Sequence, residues 1–147
     1  MTTPAPAAPA SPPAYGPPIT HAQAAAMMAA AEAEAARNGW PMTIAIVDSG
    51  ANLVMLHRMD NGQLGSVEIS QGKAQTAVKF RRSTKVFQEL LAGGGVHLRM
   101  LNMPGLLPLE GGVPIMSSGK VIGGIGVSGM SSAQDHQVAE AGLKALA

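Results

Sequence analysis

The chain has no cysteine among its 147 residues. Disulfides, thiolate nucleophiles and cysteine-ligated metals are therefore excluded. Aromatic residues make up only 3%, so the core must be built from Ala, Val, Ile, Leu and the ten methionines. Methionine fills irregular gaps well. Charge is scarce too: charged residues amount to 13%, against 46% hydrophobic and a mean hydropathy of +0.17. This is more apolar surface than a small monomer usually buries, which points to a homo-oligomer. The formal net charge of +1 gives no field that would draw nucleic acid or a membrane surface. No run approaches the roughly 18 apolar residues of a membrane helix, and the N-terminus lacks the basic and apolar regions of a secretory signal. A cytoplasmic protein is expected. Walker and HExxH sequences are missing, and the four histidines are scattered. No serine sits in a GxSxG elbow.

What is present centres on Glu110 to Gly129, EGGVPIMSSGKVIGGIGVSG. Val113 to Met116 runs into a short Ser117-Ser118-Gly119 turn, and Lys120 leads out into a glycine-punctuated apolar run. A turn this short joins antiparallel strands. Glycines at 123, 124 and 126 inside a strand mark a bulge or the close approach of a helix, a subunit or a flat ligand. Gly124 to Gly129 spells GxGxxG. Two of its glycines lie within the strand and no βαβ unit follows, so a dinucleotide site is rejected.

Residues 1–18 hold seven of the eleven prolines and read as a Pro/Ala-rich disordered tail ahead of one domain over 19–147. Thr20 caps a helix running to about Asn38 and stopped by Gly39. Thr43 to Val47 and Leu53 to Arg58 form a hairpin around Asp48–Asn52. Ser66 to Phe80 is a second helix, with Val67, Ser70, Ala74, Ala77 and Val78 at helical spacing. Ser83 or Thr84 caps a third through Leu91. His97 to Leu101 is ambiguous between strand and short helix. Ser132-Ala133-Gln134-Asp135 reads as a capping-box-like start of the last helix. The expected order is α-β-β-α-α-connector-β-β-α, an α+β fold with helices packed on an antiparallel sheet.

Lys73, Lys79, Arg81, Arg82 and Lys85 place half of the ten Lys and Arg residues in thirteen positions. Such a segment suits a carboxylate or phosphate, and it equally suits a solvated helix face. Glu110 and Asp135 are the candidate acid–base carboxylates, although turn and cap roles also explain most of the acidic residues. His21 is either a solvent-exposed histidine or a ligand at a pocket mouth, and His57 lies on an apolar strand face.

Several segments, in order, resemble the GlcG/HbpS family of small haem-associated proteins, which also occurs as the C-terminal domain of PduO-type proteins. They are Ala45–Asp48 with Gly50, Leu53 and Val54; Arg58–Asp60; Lys73–Ala77 with Phe80, Arg82 and Thr84; Pro104-Gly105, Pro108 and Glu110–Ile115; and Gly123–Gly129 with Gln134-Asp135. The resemblance covers about residues 20 to 147. It implies a profilin-like antiparallel five-stranded sheet flanked by helices, assembly from dimers to octamers, and haem as cofactor. Roles in iron or redox sensing are further implications. It places haem contacts around Phe80, Arg81, Arg82 and Thr84, with Lys73 beside them. The resemblance implies Thr84 facing the iron; His21 is the next candidate, since histidine is the commoner axial ligand. The expected function is haem storage, delivery or sensing. The alternative is a catabolic enzyme holding a small anionic metabolite in the same basic segment, with Glu110 or Asp135 as acid or base.

Overall fold

The computed structural model describes residues 11–146. Its elements are α1 (His21–Arg37), β1 (Thr43–Asp48), β2 (Leu53–Arg58), α2 (Ser66–Phe80), α3 (Thr84–Ala92), a 3-10 stretch (Gly95–Asn102), β3 (Gly112–Ser117), β4 (Lys120–Ser128) and α4 (Ser132–Leu143). A 3-10 turn, Lys144–Leu146, ends the described chain. The order matches the sequence expectation, and the ambiguous His97 to Leu101 segment is 3-10 helix. Among the described residues no helix is long and apolar enough to cross a membrane.

The sheet has four strands, in the order β2-β1-β4-β3, all antiparallel. This corrects the expected five. The reason lies at the N-terminal half of β4. β1 ends opposite Gly123, and an extended leader takes over its place beside β4. Val121 N–H donates to the Ala14 carbonyl (2.8 Å), and its own carbonyl accepts from Gly16 N–H (2.9 Å). Ile19 N–H then reaches the Ile122 carbonyl (2.9 Å). Tyr15 pairs with Val121 as a single parallel bridge, too short to count as a strand. Two prolines, Pro17 and Pro18, interrupt the donors that would extend it. The expected disordered tail over 1–18 is thus corrected at 14–16, which are hydrogen-bonded to β4; residues 1–10 lie outside the described residues.

The two faces of the sheet are covered differently. Ile44, Ile46, Ile125 and Val127 point to a core shared with Met27, Met28 and Ala31 of α1 and Val138 and Ala139 of α4. Ala45, Val47 and Val121 face Ala74 and Val78 of α2. α2 lies close because the sheet offers glycines. A Cβ on Gly124 would fall 2.6 Å from the Ala74 carbonyl oxygen, and one on Gly126 would collide with the Ser70 carbonyl. The backbone that approaches the glycine-rich strand is therefore α2. The β3–β4 turn has Ser118 and Gly119 both at positive φ (50° and 73°), as a two-residue I′ turn requires.

Candidate functional site

The site begins where α2 stops. Arg81 adopts the left-handed conformation (φ 56°), and Arg82 N–H returns to the Ala77 carbonyl (3.2 Å), which closes the helix end. Ser83 then caps α3, its hydroxyl accepting from Lys85 N–H (3.3 Å). Three residues therefore join two helices, and the tight turn brings Phe80 and Phe87 together. Their centroids are 5.6 Å apart at 72°, an edge-to-face pair. These are the only two phenylalanines in the chain. The Arg82 guanidinium lies 5.4 Å from the Phe87 centroid, exposed, with no carboxylate partner among the described residues. The junction thus presents the half-buried Phe80, backed by the buried Phe87, beside an exposed cation, chemistry that suits a flat ligand carrying carboxylates.

The five basic residues do not form one patch. Lys73 is buried, its ammonium donating to Asp135 Oδ2 and to the Val127 carbonyl, both at 2.8 Å. Arg81 turns to the leader, donating to the Pro13 carbonyl (3.2 Å) and lying 5.4 Å from the centroid of Tyr15. Lys79 is exposed beside Gly105. Lys85 faces Glu89 at 4.0 Å on the solvent side of α3.

Thr84 is fully buried. Its hydroxyl accepts from Gly112 N–H (2.9 Å) and lies 3.4 Å from the Gly112 carbonyl. One helical turn on, the Gln88 side chain accepts from Glu110 N–H (2.8 Å) and approaches its carboxylate at 3.4 Å. Positions i and i+4 of α3 thereby clamp two residues at the entry to β3. Glu110 is buried and forms no ion pair among the described residues. Gly111, between them, has φ +129°, and a Cβ there would sit 2.9 Å from Lys73 Nζ.

Asp135 is held by Lys73 and by Met130 N–H, which donates to Oδ1 (3.0 Å). Burial raises its carboxyl above the ordinary value, outweighing the Lys73 hydrogen bond and charge and the Met130 and Gly129 amides. The capping box of α4 starts one residue earlier than expected: Ser131 caps, Gln134 closes the box, and the Asp135 side chain is left to meet Lys73. His21 is exposed in the first turn of α1, on the opposite face of the sheet from α2. His57 pairs with Glu32 of α1. One chain therefore brings Phe80, Arg82 and Thr84 into one neighbourhood but does not bring His21 to it. Phe87, Gln88 and Tyr15 were not anticipated. The rarity of aromatic residues was a usable signal for Phe87, since the chain has so few to place.

An apolar cleft of about 200 Å³ lies elsewhere, between β3 and the C-terminal turn, lined by Pro114, Ile115, Met116, Leu143 and Leu146. It is smaller than the usual 300 Å³ and above of ligand pockets and carries no charged group.

The chain belongs to the HbpS-like family: the family model described as haem degrading protein HbpS-like matches residues 19–144. Among curated proteins it is similar to protein GlcG of Escherichia coli K12, at 42% identity over 110 residues, covering 75% of this chain and 81% of GlcG. Among solved structures it resembles a double mutant of Streptomyces reticuli HbpS, with TM-score 0.82 and 30% identity, covering 100% of this chain and 99% of the other. It also resembles a PduOC–haem complex, with TM-score 0.80 and 26% identity, covering 87% and 94%.

Proposed function

We propose that the protein binds haem at the α2–α3 junction, as an oligomeric carrier that stores, delivers or senses it. The observation that carries the reading is the convergence of Phe80, Phe87 and exposed Arg82. The likeness to the PduOC–haem complex supports it. The residues present fit the organic part of the group. Phe80, half-buried and supported from behind by Phe87, offers apolar contact for a porphyrin edge, and Arg82, with Lys79 and Lys85 on the adjoining turns, offers charge for propionates. Bound haem would supply iron-centred redox and ligand chemistry.

Iron ligation asks more of this chain. Thr84 would have to release Gly112 before its hydroxyl reached an iron. His21 would have to come from a second subunit, because its own helix lies across the sheet. Assembly is thus part of the proposal. Val96, Leu98 and Leu101 on the 3-10 stretch are 64%, 54% and 66% exposed, a cluster that a second copy would cover. No arrangement favours acid–base catalysis by Asp135, which is sealed against Lys73. Adding hemin to micromolar protein should give a shifted Soret band that Arg82→Ala weakens. Unchanged affinity in that variant would remove the site from the junction.

A further inference from the structure

The leader ahead of α1 does more than extend the sheet edge. Tyr15 O–H donates to the Val78 carbonyl (2.7 Å), with the Lys79 carbonyl 3.1 Å from the same oxygen. The Val78 carbonyl also accepts from Arg81 N–H (3.3 Å), so the tyrosine adds a second donor where the last carbonyls of α2 run short of partners. The same ring lies against Arg81, and Arg81 returns a hydrogen bond to Pro13. The backbone of Ala14 and Gly16 is pinned on Val121, so the clasp is anchored at both ends. Tyr15 itself is 46% exposed, and among the described residues no apolar side chain before Ile19 is buried. Few buried contacts hold it, so this segment opens at lower cost than the core.

We infer that residues 13–16 form a releasable strap that withholds Arg81 from the haem-binding junction, so that strap docking and haem binding oppose one another. The inference rests on the haem reading above. Arg81 and Arg82 are consecutive, yet only Arg82 is free for an anion. A ligand with two carboxylates draws on both guanidiniums only if Arg81 leaves Tyr15 and Pro13. The coupling is reciprocal: what loosens the strap strengthens binding, and binding loosens the strap.

Tyr15 is the only tyrosine in the chain, so a tyrosine-labelled sample reports on the strap through one set of ring signals. The test compares hemin affinity in the full-length protein with that of Tyr15→Phe, which loses the bond to Val78, and Tyr15→Ala, which loses the ring as well. The strap predicts tighter binding in the order Ala, Phe, native, with roughly fivefold or more between the ends. It also predicts that diamagnetic protoporphyrin IX moves the native Tyr15 ring signals. If Tyr15→Ala fails to fold, the Phe variant and the ring signals still decide. Equal affinities with unmoved ring signals would overturn the strap and leave haem binding standing. Weaker binding in the variants would make the leader part of the site and overturn the strap. Absence of hemin binding in every form would overturn the haem reading, and the strap with it.

Discussion

Lys73 and Asp135 are 62 positions apart, yet their side chains meet at 2.8 Å in the interior. Burial is the larger influence on Asp135 and lifts its carboxyl above the ordinary value of 3.8, so the folded state holds that proton more tightly than the unfolded chain. The contribution of Asp135 to stability is therefore fullest below the unfolded value and is lost as pH rises through the raised folded one. Removing one partner of a buried pair leaves an uncompensated charge, at a cost of about 3–5 kcal/mol. Lys73→Met should show that loss in denaturant midpoints at neutral pH and a smaller loss in acid, where a protonated Asp135 needs no cation. The double variant Lys73→Met with Asp135→Leu should recover much of it. An equal loss at both pH values would contradict the assignment.

The central pair of elements is α2 lying on β4, with Gly124 and Gly126 beneath Ser70 and Ala74. Gly126→Ala forces the helix off the sheet, and overpacking of this kind typically costs up to about 3 kcal/mol. Urea denaturation should show the midpoint falling with an unchanged slope; an unaffected midpoint would mean that α2 tolerates displacement. A close approach at these glycines was legible in the sequence, but whether a helix, a subunit or a flat ligand makes it was not. Much of the element order was legible for local reasons: Thr20 and Gln23 close the expected cap of α1, and Gly39 ends it at positive φ. The interior place of Lys73 was missed, because it was grouped with the basic segment. It stands three residues after Ser70, on the stripe that α2 buries. Its partner was not legible either, because nothing local connects α2 to Asp135, and the adjacent Ser131 and Ser132 leave the cap of α4 ambiguous by one residue. The basic segment was legible as composition but not as arrangement. Two consecutive arginines at a helix end point to different neighbours, and only the folded leader shows which is engaged.

At the scale of the molecule, one face of the sheet is sealed by α1 and α4 and the other by α2, while the 3-10 stretch leaves Val96, Leu98 and Leu101 in solvent. Light scattering should give a molar mass that is a multiple of 14.9 kDa, reduced by Leu98→Glu combined with Leu101→Glu; a monomer at high concentration, or a mass indifferent to the change, would contradict that surface. The five-strand sheet implied by resemblance is four strands and a strap here, so the junction at α2–α3 is shared with a segment that the rest of the domain does not need for its core. Haem binding at that junction is the claim from which the rest follows. It is tested most directly by titrating the full-length protein with hemin alongside Arg82→Ala and following the Soret region. The account predicts a saturable, shifted band in the native protein and a clearly weaker affinity in the variant. A native protein that gives no band at micromolar concentration would contradict it.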